Sequence, residues 1–300
     1  MNDDQELILR HGVWEAAVAA YGASLRGVTK DGQPVATGYQ GKEQKQGGQG
    51  DVLIPFPGRV AGGTYAWDGT YHQLPQTDKD GPNAIHGFVR TLVWEVAEQS
   101  ESLVRFTLDF LGAHGYPFPL GLELTYSLDD TGLTCRFVVT NTGMDAAPVA
   151  VGFHPYFTVG SERVDGDRLT LPFDSVLEMK QFIPTGTIFS VAEAGLDYRT
   201  PTAIGSTVFN HCFLAPQRDA QGRANVTLAS ADAEVTVWMD EAFDYVVLYT
   251  GENMPAPYRR RSLAIEPMTC GSDAFNHPEW GLKRLEPGES FTGAWGVTKK

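Results

Sequence analysis

Apolar and polar residues alternate with a period of two in one segment after another, and a chain patterned in this way buries its apolar side chains by forming strands. Val104, Phe106, Leu108 and Phe110 fall on one face, as do Leu122, Leu124, Tyr126 and Leu128, and then Leu133, Cys135, Phe137 and Val139. Turn chemistry separates the segments at Asp31-Gly32, Asp68-Gly69, Asp129-Asp130-Thr131-Gly132 and Gln221-Gly222. Asp68-Gly69, between Tyr65 and Tyr71, predicts a tight hairpin. The Ala-rich stretch from Trp14 to Leu25 is helical by propensity. It is short, contains Gly22 and has no capping residue immediately before it, so it is read as strand. Elsewhere no segment longer than about three turns carries the i, i+3, i+4 stripe of a surface helix. The expected fold is therefore all-β, a large antiparallel β-sandwich with few helices, in which polar residues on a concave outer face or at strand ends build a site. Although 300 residues correspond to about two domains on length alone, all-β folds of this size often form one, and the loop signals do not gather into a linker. One domain spanning 1–300 is expected.

The formal charge of -14 argues against nucleic-acid and anionic-membrane partners, because neither surface attracts such a chain. A neutral small molecule fits better. Cys135, Cys212 and Cys270 are odd in number and widely spaced, without the pairing of a zinc site or a disulfide framework. The first residues are acidic where a secretory signal is basic, and no segment approaches the ~18 consecutive apolar residues of a membrane helix. A soluble, cytoplasmic protein with reduced thiols is expected; oligomeric state is not encoded in any feature of the sequence.

Two polar residues stand out from apolar runs, each followed by proline. In Ile265-Glu266-Pro267-Met268-Thr269 the proline biases Glu266 toward extended backbone, and Leu263, Ala264 and Ile265 partly desolvate the carboxylate, which raises its pKa. In Gly152-Phe153-His154-Pro155-Tyr156-Phe157 an imidazole sits between aromatics in the same construction. Taken singly, each is a strand-end residue satisfied within a core. Together they form an acid/base kit.

Further polar groups cluster in two loop-like segments, Pro55-Phe56-Pro57-Gly58-Arg59 and Asn83-Ala84-Ile85-His86-Gly87-Phe88-Val89-Arg90. The Arg59 guanidinium either donates directed hydrogen bonds to hydroxyls or forms a surface salt bridge. His86 precedes Gly87, whose missing side chain lets a ligand or another strand approach, and the simpler alternative is a hairpin histidine without a role. Arg259-Arg260-Arg261 is read as a solvated loop face rather than a phosphate contact.

Arg59, the Asn83 to Gly87 segment, His154-Pro155-Tyr156-Phe157 and Glu266-Pro267-Met268-Thr269, in that order, resemble the aldose 1-epimerases, or galactose mutarotases, over nearly the whole chain. The resemblance implies a large β-sandwich with a sugar in an open cleft and interconversion of α and β anomers without metal or cofactor. Glu266 is then the base and His154 the acid; Arg59 and His86 hydrogen-bond the sugar, with Asn83 beside them. Opening a pyranose removes a proton from the anomeric hydroxyl and delivers one to the ring oxygen, so an ionised Glu and a protonated His are expected to face each other across the sugar, each stabilising the other's charge.

The chain departs from the family pattern twice. Asn210-His211-Cys212-Phe213 stands where sugar-binding mutarotases carry Asp-His and an aromatic, so a hydroxyl-accepting carboxylate has become the amide of Asn210. Tyr245-Val246-Val247-Leu248-Tyr249-Thr250-Gly251 has apolar residues where the family places a sugar-contacting Gln. The alternatives are a hexose-6-phosphate epimerase of the same fold, marked by Arg59, Arg90 or Arg259 to Arg261 pointing into the cleft, and a non-catalytic carbohydrate-binding protein.

Overall fold

The computed structural model describes residues 4–300. They form two large antiparallel sheets, one of 12 strands and one of 9, with three two-stranded ribbons and short 3-10 turns between them. The expected all-β fold is what the chain adopts.

The alternating segments build the middle of the 9-stranded sheet. Leu103–Phe110 pairs with Leu120–Asp129, which pairs with Gly132–Asn141, which pairs with Ser290–Lys299. The register places Phe106 opposite Leu124 and Leu124 opposite Phe137, so the apolar faces coincide across the strands. Thr64–Trp67 and Thr70–Gln73 flank the hairpin turn at Asp68-Gly69, both residues of which have positive φ. Its ribbon is separate from the main sheets, and Tyr65 is buried while Tyr71 is exposed.

The Ala-rich stretch is extended, but it is two strands rather than one: Trp14–Ala19 pairs with Ser24–Lys30. Gly22 turns the chain between them at φ 72°, and a Cβ there would lie 2.6 Å from the Arg90 carbonyl oxygen. Close backbone approach therefore breaks the segment.

The centre of the 12-stranded sheet runs Gln33–Thr37, Tyr156–Phe157, Leu263–Met268, Tyr245–Tyr249, Asn210–Pro216, Phe173–Lys180. Alternate residues of these strands separate onto two faces. Phe157, Leu263, Ile265, Val246, Leu248 and Phe213 join the main core between the sheets. Tyr156, Ala264, Met268, Tyr245 and Cys212 belong to smaller clusters on the opposite face, which also carries Glu266. Loops lie over that face, so a polar site there is buried without entering the main core.

Candidate active site

Two short strands meet Leu263–Met268 on one side. Gly152 pairs with Met268, and Tyr156 and Phe157 pair with Ala264 and Leu263. His154 lies midway between these contacts, directly opposite Glu266. The ladder is interrupted there, because the His154 N–H donates to the Asp51 carbonyl at 3.0 Å and its carbonyl accepts from Gly50 N–H at 2.9 Å. Cross-strand partners project to the same side of a sheet. The Nε2 of His154 consequently lies 3.3 Å from Oε1 of Glu266, both side chains being buried. On the other side of Glu266 the row continues through Val247 to Cys212, and the adjacent row runs Tyr156, Ala264, Tyr249, Asn210.

A cleft of about 200 Å³ opens above these rows, lined by Glu266, His154, His86, Arg59, Asn210 and Tyr249 among others. Drug-sized ligands occupy pockets from about 300 Å³ upward, so the space suits a single sugar unit. The two side chains stand side by side on the cleft floor, in contact. Two adjacent proton-exchanging groups at this spacing can serve two oxygens bonded to one carbon.

Burial is the dominant influence on both groups. It pushes the Glu266 carboxyl well above the usual carboxylate range, with the Arg59 charge pulling the other way. It lowers the His154 imidazole to about 3, and the charges of Arg90 and Lys45 act in the same direction. The expected rise at Glu266 is present: burial disfavours the charged form of each group, while their 3.3 Å contact favours the charged pair.

His86 accepts a hydrogen bond at Nδ1 from Gly58 N–H at 3.2 Å, so in the neutral ring Nε2 carries the hydrogen. Its ring stands edge-on to that of His154, centroids 5.5 Å apart. Burial holds this imidazole well below its ordinary pKa, with His154 and the two nearby arginines adding to the effect. Gly87 makes room for neighbouring backbone: a Cβ there would lie 2.0 Å from the Ile54 carbonyl oxygen.

Arg59 lines the cleft and is ion-paired at the same time, which joins the two readings of it. Its Nε donates to Oδ2 of Asp78 at 2.7 Å and Nη2 to Oδ1 at 3.3 Å, and its guanidinium lies 4.7 Å from the centroid of the Phe182 ring. Asn83, expected at the sugar, stands behind this pair and does not line the cleft. Its Nδ2 donates to Asp78 at 3.0 Å and its Oδ1 accepts from Gly62 N–H at 3.2 Å. Asn210 does line the cleft, and its N–H donates to Nδ1 of the adjacent His211.

Several contributors were not legible beforehand. The Gly47 to Asp51 loop packs over His154, where a Cβ on Gly48 would meet Cδ2 at 3.2 Å. Buried Asp51 binds Lys45 at 2.6 Å and Arg90 at 3.3 Å, so Arg90 is held by a carboxylate behind His154. The repeated glycines of Gln46-Gly47-Gly48-Gln49-Gly50 were the available signal. Asp80 and Tyr249 at the cleft carried none. Arg260 is buried rather than solvated, holding Asp165, Glu252 and the carbonyls of Thr207 and Gly205. Arg261 faces Glu162 at 3.8 Å on the surface. Among the described residues no group of three or more His, Cys, Asp or Glu is placed to hold a metal ion, the three cysteines are buried and unpaired, and no helix is long and apolar enough to cross a membrane.

Comparison with known proteins agrees with the fold and shows the family. The family model described as aldose 1-epimerase matches residues 5–297. The uncharacterised protein YihR of Escherichia coli K12 is 31% identical over 273 residues, covering 91% of this chain and 86% of YihR. A GalM/aldose epimerase homologue from C. elegans superposes with a TM-score of 0.87 at 20% identity, covering 99% of both chains. Galactose 1-epimerase from Lactobacillus acidophilus NCFM gives 0.82 at 21% identity, covering 98% of this chain and 94% of its own. At those identities the structural likeness speaks to the fold.

Proposed function

Since the chain belongs to the aldose 1-epimerase family, we propose that it interconverts the α and β anomers of a free aldohexose by acid/base ring opening, with Glu266 as base and His154 as acid. The observation that carries this reading is the 3.3 Å contact between His154 Nε2 and Glu266 Oε1 on the floor of a sugar-sized cleft.

In the reactive form the pair carries one proton, on His154, and Glu266 is ionised. Arg59 favours that form by lowering the carboxyl's proton affinity, and sugar hydroxyls replace the solvation that burial removed. Glu266 then takes the anomeric hydroxyl proton as His154 donates to the ring oxygen. The bond between the first carbon and the ring oxygen breaks, leaving an aldehyde and a chain hydroxyl. Rotation about the bond between the first two carbons presents the other carbonyl face. On reclosure that hydroxyl attacks, returns its proton to His154, and the new anomeric oxygen recovers one from Glu266. Acid/base assistance of this kind is worth ~10²–10⁴ in rate.

Arg59 and the Nε2–H of His86 serve as donors to the sugar, and Asn210 offers an amide that both donates and accepts. A phosphorylated substrate is not favoured, because Arg59, which lines the cleft, is ion-paired with Asp78, while Arg90 and Arg260 do not line the cleft and are engaged by Asp51 and by Asp165 and Glu252. Polarimetry on freshly dissolved α-glucose and α-galactose tests the proposal. Acceleration above the spontaneous rate, proportional to protein concentration, is expected, and an unchanged rate with both sugars would remove the reading.

A further inference from the structure

Asp80 is the more open carboxylate of the cleft. Among the residues lining it, the other carboxylate is Glu266, which is engaged with His154. Asp80 is half-exposed, its Oδ2 accepts a long hydrogen bond from Nη2 of Arg59 at 3.5 Å, and among the described residues nothing donates to its Oδ1. It is nonetheless fixed in place: its N–H donates to Oδ1 of Asp78 at 3.1 Å, and Asp78 is gripped by Arg59 and Asn83. The loop is anchored while the carboxylate oxygens remain open to the cleft.

We propose that Asp80 is the hydroxyl-gripping and charge-selecting residue of this cleft, accepting from sugar hydroxyls remote from the anomeric carbon and discriminating against sugars that carry an anionic group there. The placement follows from the anomerising reading of the site, on which the inference rests: with the anomeric carbon at His154 and Glu266, the remote hydroxyls extend toward the mouth where Asp80 stands. An ionised carboxylate accepts hydroxyl hydrogen bonds roughly twice as strongly as a neutral acceptor, so it outweighs the amide of Asn210. Arg59 compensates it only in part, because one guanidinium faces two carboxylates and its shorter contact, 2.7 Å, is to Asp78 against 3.5 Å to Asp80. A phosphate or carboxylate on the ligand therefore meets a like charge, and an amine does not.

The test uses unreactive ring analogues and so does not depend on turnover. Binding of 1,5-anhydroglucitol and of its 6-phosphate is measured by titration calorimetry to the full chain and to Asp80→Asn and Asp80→Ser, at low and high salt. Wild type is expected to prefer the neutral analogue by at least about tenfold. Both variants are expected to bind it several-fold more weakly and to narrow the gap between the two ligands, and salt should narrow the wild-type gap as well. Equal affinities of wild type and both variants for the neutral analogue, a wild-type preference for the phosphate, or no wild-type binding of either compound would overturn the proposal. A wild type that binds as expected yet anomerises no sugar leaves Asp80 supported and removes the anomerase reading instead.

Discussion

His154 and Glu266 are cross-strand partners whose ladder is interrupted between them, and the side chains that result are in contact at 3.3 Å. The contact is buried, which gives it a consequence for stability as well as for chemistry.

Burial raises the Glu266 carboxyl above its unfolded value near 4.5. A raised folded pKa means that the folded state holds the proton more tightly. The associated stability is complete below about pH 4.5 and is lost as pH rises through the folded value. Glu266→Gln keeps the neutral form at every pH. Its Tm should match wild type near pH 4 and exceed it at pH 8, by roughly 2–4 °C for each 1 kcal/mol of ionisation cost avoided. Thermal melts at the two pH values check this; a variant less stable than wild type at pH 8 would contradict it.

Asn83→Ala should act through Asp78 and Arg59. Removing the amide leaves Asp78 and Gly62 N–H each one partner short, at a cost of ~1–3 kcal/mol in denaturant unfolding. Loosening Arg59 should raise KM more than it lowers kcat. Unchanged stability and KM would detach Asn83 from the site.

Gly48→Ala places a methyl 3.2 Å from His154 on backbone at φ 74°. We expect ~1 kcal/mol of destabilisation from the backbone alone and about a tenfold fall in kcat from displacement of the imidazole. A normal kcat in steady-state polarimetry would show that the loop does not position His154.

Asn210→Ala should weaken sugar binding and raise KM more than it lowers kcat, because the amide lines the cleft without touching the acid/base pair. A kcat effect equal to that of removing Glu266 would place Asn210 in the chemistry.

The strands were legible because a period of two survives in Leu122 to Val139 whatever those residues pair with, and Glu266 and His154 were legible because proline fixes their backbone locally. Their contact was not, since it depends on how Gly152 and Tyr156 register against a strand more than a hundred residues away. The same holds for Asp51, which faces Arg90 across 39 residues, and for the split at Gly22, which is imposed by the Arg90 carbonyl. The resemblance set Asn83 beside the sugar, whereas its side chain turns to Asp78.

The central claim is that Glu266 and His154 exchange protons with a sugar, and the measurement that bears on it most directly is catalysed anomerisation by Glu266→Gln and by His154→Asn in samples shown to be folded by circular dichroism. Each variant should lose roughly 10²–10⁴ in kcat, equivalent to ~3–5 kcal/mol of transition-state stabilisation. Near-normal turnover by folded Glu266→Gln would contradict the account and assign the base to another group.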